Sequence, residues 1–433
     1  MDKVLAVMPR YEAYKDSGVE WLGEIPEHWQ VRRIKTLSMI KRGASPRPID
    51  DPRYFSEKGE YSWVRIADVS ANEHYLNCTK EKLSRLGASL SVKIQPGQIF
   101  LSIAGTVGKP IISKIRCCIH DGFVYFPELK DNPEFIYRVF ETGQPYLGLG
   151  KHGTQLNLNS ETVGNIRIAY PPVSEQGEII SFLDRKTTQI DQAIQVKEKQ
   201  ITLLKERKHI LIQNAVTRGL DPAVPMKDSG VDWIGEIPAH WLTSRSKWLF
   251  LQRREKAKKS DEQLTASQKY GVIPQQKFMA LEGRKVTQVD LNPEILKHVS
   301  ANDFVISMRS FQGGIEHCLY EGCVSSAYVP LIPQENIHAP YFKYLFKSQR
   351  YIEALQSTSN LVRDGQALRY ENFCMVDLLI VPVEEQLKIA VYIEQKSTKI
   401  NKAITLHQQQ IERLKEYKAT LINSAVTGKI KVA

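Results

Sequence analysis

The chain is poor in cysteine, with six among 433 residues and no Cys-x-x-Cys pair. Cys78, Cys117, Cys118, Cys318, Cys323 and Cys374 are scattered, so a disulfide framework is not expected and reduced thiols in a cytosolic protein fit better. His317, Cys318 and Cys323 lie close in sequence, but no second cluster completes a four-ligand zinc set. No apolar run approaches the ~18 residues of a membrane span. The opening residues, MDKVLAVMPRYEAYKDSG, carry no signal-peptide hydrophobic core of useful length. A soluble, cytoplasmic chain with no membrane partner is the expectation.

Nucleotide and metal motifs in their usual context are missing too. No Gly-x-Gly-x-x-Gly opens a helix, which excludes the usual dinucleotide turn. The stretch Gly105-Thr106-Val107-Gly108-Lys109 has the flavour of a phosphate loop, but Lys109 is followed by Pro110 and the spacing is wrong. No His-Glu-x-x-His occurs, and Asn132-Pro133-Glu134 and Asn292-Pro293-Glu294 do not fit the Asn/Asp-Pro-Pro-Tyr/Phe motif of amino-methyltransferases. Nothing in the linear order assembles a nucleophile, a base and an orienting group. We expect no catalytic residues, no metal and no cofactor on this chain.

What is present is a repetition. Residues 15–29 read KDSGVEWLGEIPEHW and residues 227–241 read KDSGVDWIGEIPAHW, an offset of 227 − 15 = 212. Pro171–Gln176 (PPVSEQ) returns as Val381–Gln386 (VPVEEQ), and Ala215-Val216-Thr217 as Ala425-Val426-Thr427, both 210 apart. A domain-sized period means a duplicated module, not a solenoid. Such a duplication has a pseudo-two-fold available and suits a long, two-sided partner.

Each half ends in a sustained three-four apolar spacing. In the first it runs Ile180, Leu183, Thr187, Ile190, Ile194, Lys197, Ile201, Leu204, Lys208, Leu211, Ala215. Adding 210 gives Ala390, Ile393, Ser397, Ile400, Ile404, His407, Ile411, Leu414, Lys418, Leu421, Ala425. That pattern predicts two coiled-coil helices, each near 40 residues and about 60 Å long at 1.5 Å per residue. The short linker Arg218–Pro225 makes the pair antiparallel, with the globular blocks expected at opposite ends. The matched polar rungs, Thr187 with Ser397 and Lys197 with His407, are expected to fix register at some cost in stability.

The globular blocks read as mixed α/β. Strands are expected at 61–69, 99–103, 303–308 and 324–331, and helices at 133–142 and 340–358, each opening at a proline. The expected division is 1–170 for the first block with its opening motif, 171–218 for the first helix, 219–380 for linker and second block, and 381–433 for the second helix. Trp21, Leu22, Ile25 and Trp29 in the opening motif, with its copy, read as a packed turn that staples chain to helix.

The net charge of +11 hints at a polyanionic partner. Gly-rich polar loops with basic residues are the candidate reading elements. In the first half these are Arg42, Ser45 and Arg47, then Arg65, then Thr106 and Lys109, then Lys151, His152 and Gln155. In the second they are Arg309, Ser310 and Gln312, and Arg363, Gln366 and Arg369. Arg and Lys can bond guanine bidentately and Gln can do so to adenine, while glycines let backbone amides approach phosphate.

Together, the duplicated opening motif, the duplicated Pro-Val-x-Glu-Gln junction, the Leu-Ile-x-x-Ala-Val-Thr helix end and two unlike blocks resemble the specificity subunit of type I restriction-modification systems, over essentially the whole chain. That resemblance implies two target-recognition domains, each reading half of a bipartite, asymmetric site in double-stranded DNA, and a paired-helix spacer. It implies two modification (methyltransferase) subunits as partners, with S-adenosylmethionine on them, and restriction (translocase/endonuclease) subunits that carry ATP and Mg. The helix residues Ile180, Leu183, Ile190, Ile194, Ile201, Leu204, Leu211, Ile393, Ile400, Ile404, Ile411, Leu414 and Leu421 form the expected spacer and subunit interface. Alternative readings are a self-contained methyltransferase or nuclease with unrecognised motifs, or a coiled-coil protein with no nucleic-acid role.

Overall fold

The computed structural model describes residues 8–147, 149, 158–285, 295–307, 310–358 and 368–432. The chain divides into two compact units, Met1–Lys197 with Gln409–Ala433, and Glu198–Gln408. The first unit is therefore assembled from both parts of the chain, and each unit takes a portion of both long helices.

In the first unit the opening motif folds as an antiparallel pair, Tyr14–Asp16 with Glu24–Pro26. It buries Leu22, Ile25 and Trp29. Strand Gln30–Arg33 then pairs antiparallel with Arg167–Tyr170, so the two ends of the block are tied just before the long helix begins. Between them a five-stranded sheet has the order 41–42, 123–125, 99–102, 110–113, 75–76, and a four-stranded sheet the order 81–83, 61–64, 117–119, 92–94. Ile99–Ser102 and Pro110–Ser113 are buried at every position, as a strand covered on both faces must be. Helix Pro133–Glu141 covers this sheet. Asn132 caps it by accepting from the Glu134 amide at 3.0 Å, and Phe135, Ile136, Val139 and Phe140 go into the core.

The second unit repeats the frame. Met226–Asp228 pairs with Glu236–Pro238, and Leu242–Arg245 with Asp377–Ile380. Its larger sheet has the order 250–252, 329–333, 304–306, 316–317, matching the first four strands of the five-stranded sheet. The remaining strands form two-stranded pairs, 264–267 with 271–274 and 297–299 with 322–324.

Four expected elements differ in detail. The expected strand 61–69 stops at Val64, because the Asp68 carboxylate accepts from the Arg65 amide at 2.9 Å and starts helix Ile66–Ala71. Of the expected strand 303–308, Phe304–Ile306 is strand and Asp303 and Ser307 are not, while Met308 lies outside the described residues. The expected strand 324–331 is two strands, Gly322–Val324 and Val329–Pro333, separated by a turn in which the Tyr328 amide donates to the Ser325 carbonyl at 3.0 Å. The expected helix 340–358 is two, Ala339–Leu345 and Gln349–Ser357. There the Ser348 hydroxyl donates to the Leu345 carbonyl at 2.7 Å, and Phe346 turns into an aromatic core with Phe250, Phe304, Tyr351 and Phe373.

The first long helix spans Val173–Arg218 and the second Val383–Val426. Within the first unit they are antiparallel. Glu175 near the start of one meets Trp29 (Trp29 Nε1 to Glu175 Oε2, 3.0 Å), and a Cβ on Gly428, just past the end of the other, would lie 3.1 Å from the same indole. Further along, Lys418 Nζ reaches Asp191 at 2.7 Å. The second unit shows the same arrangement: Glu385 accepts from Trp241 Nε1 at 3.0 Å, a Cβ on Gly219 would lie 3.4 Å from Trp241, and Lys208 Nζ donates to Asn401 Oδ1 at 3.0 Å. Mixed α/β units with two long paired antiparallel helices are the architecture the repeat and the three-four spacing predict. After Val426 the chain leaves the helix through Gly428 (φ +71°), and the Lys431 amide donates to the Pro9 carbonyl at 2.7 Å.

Candidate nucleic-acid interface

In the first unit the basic loop 42–47 is held by one residue far away in sequence. Asp121 accepts from Ser45 Oγ at 2.9 Å and from Arg47 Nη2 at 3.1 Å, and its carbonyl accepts from Arg42 Nε. Burial alone would raise the Asp121 pKa. The Ser45 hydrogen bond and the charges of Arg47 and Arg42 outweigh it, and the carboxyl sits below its usual range. The loop backbone is fixed as well: Gly43 donates to Phe123 O at 2.9 Å and Ala44 to Ile119 O at 3.1 Å. A Cβ on Gly43 would lie 2.2 Å from His120 O, so only glycine fits.

His120 completes this corner. Burial lowers its pKa, opposed by Asp121 and reinforced by Arg65 and Arg42, so the ring is neutral at pH 7. Its Nδ1 accepts from the Gly122 amide at 2.8 Å, which puts the proton on Nε2.

The loop 104–109 is the hairpin turn between antiparallel strands Ile99–Ser102 and Pro110–Ser113. It leans on helix Ile66–Ala71. Thr106 Oγ1 and Ser70 Oγ are 2.6 Å apart, Lys109 Nζ donates to Ser70 O at 3.4 Å, and a Cβ on Gly105 would lie 2.8 Å from Ile66 Cγ2. A Cβ on Gly122 would lie 3.4 Å from Ala104 Cβ, joining this turn to the Asp121 corner. Arg42, Ser45, Arg47, Arg65, Thr106 and Lys109 thus fall in one neighbourhood, with Arg65 paired to Glu81. Lys151, His152 and Gln155 lie outside the described residues.

In the second unit Ser310 is buried. Its Oγ accepts from the Ser307 amide at 2.8 Å, so it shapes the loop instead of facing solvent. Gln312 is exposed. Arg369 is exposed at the N-cap of helix Tyr370–Cys374, its amide donating to Asn372 Oδ1 at 3.0 Å. Arg309, Arg363 and Gln366 lie outside the described residues.

Sequence reading missed two groups. One is His120–Asp121, which no local pattern marks. The other is the segment Arg253–Lys259 (RREKAKK), which follows strand Phe250–Gln252 in the sheet position that Lys41–Arg42 holds in the first unit. The dense basic run itself, four Lys or Arg within Arg253–Lys259 besides Arg253, is a visible signal. One Ser–His–Asp proximity occurs among the described residues. Asp261 Oδ2 lies 2.8 Å from His298 Nδ1, and Ser300 Oγ lies 3.2 Å from His298 Nε2. Lys258 Nζ stands 3.3 Å from that same Nε2, a position a general base must keep free for substrate.

Burial pushes the Cys117 thiol up to about 12 and those of Cys118, Cys318 and Cys323 up to about 11, the reverse of what a thiolate ligand needs. Among the described residues no group of three or more His, Cys, Asp or Glu is placed to hold a metal ion, and no helix is long and apolar enough to cross a membrane.

The helix seam is buried as its spacing requires. Ile180, Leu183, Ile190, Ile411 and Leu421 are buried in the first unit, with Ile194 and Leu414 half-buried. In the second, Ile201 and Ile393 are buried, and Leu204, Leu211, Ile400 and Ile404 are half-buried.

Known proteins resemble this chain in both sequence and fold. Residues 26–203 match the family described as type I restriction modification DNA specificity domain. Over 95% of this chain and 96% of the relative, it is 24% identical to a putative type I restriction enzyme MjaX specificity subunit of Methanocaldococcus jannaschii. The MjaVIII specificity subunit of the same organism is 22% identical over 94% of each chain. A chain solved in work on complex assembly and conformational transition of the type I R-M system superposes with a TM-score of 0.67 at 14% identity, covering 93% of this chain and 98% of that one. The HsdS subunit from Thermoanaerobacter tengcongensis gives 0.52 at 15% identity, covering 94% and 98%. At these identities the solved structures speak for the fold.

Proposed function

We propose that the chain is a DNA specificity subunit of the type I restriction-modification family, which it resembles in sequence and fold, and that each of its units reads one half of a bipartite, asymmetric DNA site. One observation carries the reading. The same frame occurs twice, with Trp29 and His28 on Glu175 and Trp241 and His240 on Glu385, while the basic segments mounted on it differ: Lys41–Arg47 is pinned by Asp121, whereas Arg253–Lys259 follows the equivalent strand. A constant frame with unlike loops suits a reader of two different sequences. Phosphate contacts supply affinity and position, and base-edge contacts supply specificity.

In this reading the chain carries no chemistry of its own. The paired helices and opening motifs dock two modification subunits that bind S-adenosylmethionine and methylate adenine. Restriction subunits with ATP and Mg join them. The test is a methylome of a host that carries the full chain with its modification partner. A split, asymmetric methylated motif is expected. A contiguous motif, or label transfer from S-adenosylmethionine to DNA by the purified chain alone, would overturn the proposal.

A further inference from the structure

The segment Gln252–Asp261 of the second unit is more rigid than a charged surface loop has reason to be. The Arg253 amide donates to Pro330 O at 2.9 Å, the His298 amide to Glu255 O at 3.0 Å, and the Ala257 amide to Leu296 O at 3.0 Å. The segment therefore runs extended along strand Lys297–Val299, bridged at Lys256 and Lys297. Its far end is closed by Asp261, which accepts from the Lys258 amide at 2.8 Å and from His298 Nδ1 at 2.8 Å. Asp261 and His298 are both buried, 4% and 1% exposed at the side chain. Arg253 is itself structural, bonded to buried Asp303 at 2.7 and 3.0 Å and to Glu255 at 2.6 Å.

That network consumes Glu255, the segment's only carboxylate before Asp261, and leaves the outward cations uncompensated. Arg254, Lys256, Lys258 and Lys259 are exposed. Of the four, only Lys258 approaches a carboxylate among the described residues, 3.6 Å from exposed Glu321, an ion pair of little worth in water. Arg254, Lys256 and Lys258 are alternate residues of an extended segment, so they leave the same side at intervals of roughly 6.6 Å. A row of cations at fixed intervals, its backbone clamped by a buried His–Asp pair, fits a partner with regularly spaced anions.

We propose that Arg254, Lys256, Lys258 and Lys259 form a phosphate-gripping arm for DNA, and that Asp261 and His298 are its positioning residues. This rests on the reading of the chain as a DNA-specificity subunit and adds to it a sequence-independent grip in the second unit. The Asp261 carboxylate orients the His298 ring through Nδ1 at 2.8 Å, and the ring's Nε2 lies 3.3 Å from Lys258 Nζ, placing that ammonium against a fixed wall at the end of the row.

The test measures binding of the full chain to a random-sequence duplex by fluorescence anisotropy across a salt series. The variant Arg254→Gln/Lys256→Gln/Lys258→Gln/Lys259→Gln is expected to bind about tenfold or more weakly at low salt. Its slope of log K against log salt should be shallower by about 0.9 for each phosphate that the arm no longer neutralises. The same four positions exchanged for the other basic residue should restore the slope, and the melting temperature should not move. Asp261→Asn is expected to cost part of the same slope and to add nothing when combined with the arm variant. An arm variant with the wild-type slope overturns the arm while leaving DNA recognition standing. Additive weakening from Asp261→Asn overturns the positioning role. A wild-type chain that binds no duplex at any salt overturns the underlying reading and the arm with it.

Discussion

Asp191 holds Lys418 at 2.7 Å across the helix pair of the first unit. Adding 210 to Asp191 and subtracting it from Lys418 gives Asn401 and Lys208, which meet at 3.0 Å in the second unit. The duplication has kept the pairing and removed one charge. Burial, the largest influence, lowers the Lys208 pKa, Glu394 opposes it, and Asn401 brings no charge of its own. Asn401→Asp should therefore rebuild the ion pair. Asp191 is 46% exposed at the side chain, so a gain of at most about 1 kcal/mol is expected. Urea unfolding of the full chain reads it, and a drop in stability would show that Lys208 is not held there.

The polar rungs differ in the same way. Thr187 and Ser397 are both buried, but the Thr187 hydroxyl donates to Asp184 O at 3.4 Å whereas the Ser397 hydroxyl has no partner among the described residues. Ser397→Ala removes an unsatisfied buried polar group and improves helix propensity, so it should stabilise by about 0.5–2 kcal/mol. Thr187→Ala should lower the denaturation midpoint, since it removes a buried methyl and a hydrogen bond together.

Indole–carboxylate clamps join the opening motif to the helix in both units. Glu175 takes Trp29 Nε1, His28 Nε2 and Tyr11 OH, and Glu385 takes Trp241 Nε1 and His240 Nε2. Glu175→Ala leaves a buried indole N–H unmatched and should cost about 1–3 kcal/mol. Glu385→Ala should cost less, having two donors to strand instead of three. Equal midpoints for both variants and wild type would remove the clamp from the account.

Two neighbours in the second unit titrate in opposite senses. Burial raises the Glu316 pKa to about 7 despite Lys347 beside it, and burial lowers that of His317 to about 4. Between its ordinary 4.5 and about 7, Glu316 is protonated in the folded chain and ionised in the unfolded one. Its contribution is full below 4.5 and is lost as pH rises through 7. His317 is neutral when folded and charged when unfolded between about 4 and 6.5, so its contribution is present above 6.5 and lost as pH falls through 4. The two nearly cancel from 4.5 to 6.5. Glu316→Gln should uncover the His317 limb. The stability of the variant relative to wild type should climb with pH across 4.5–7, by an amount on the order of 3 kcal/mol. Parallel pH profiles for the two proteins would refute this.

Gly43 sets the first basic loop. Gly43→Ala places a methyl 2.2 Å from the His120 carbonyl, which neither backbone can yield. The loop 43–47 must move off Asp121. The expected outcome is failed recognition at one half-site, read as methylation that tolerates any sequence in that half while the other stays specific. Retention of both halves would mean that this loop does not read DNA.

Sequence legibility followed range. The strands Ile99–Ser102 and Phe304–Ile306 and the helix Pro133–Glu141 are written in short windows, and so is the three-four seam, because side-chain period and burial act between neighbours. The elements that broke early, at Asp68, Ser325 and Ser348, were broken by one local side-chain or turn hydrogen bond, a weak signal against a long apolar run. The candidate interface was half legible. Arg42, Ser45 and Arg47 announce themselves by type, but Asp121, which positions them, lies 74 residues beyond Arg47.

By itself the sequence determined that there are two copies of one frame and two long helices, because repetition and periodicity need no third dimension. It also determined that the chain would carry excess positive charge. Only the tertiary structure decided that each unit is completed by helix from the other half of the chain, and that Asp121 and the Asp261–His298 pair hold the basic segments. Those pairings join residues tens to hundreds of positions apart, and their worth depends on a burial that exists only once the core has closed.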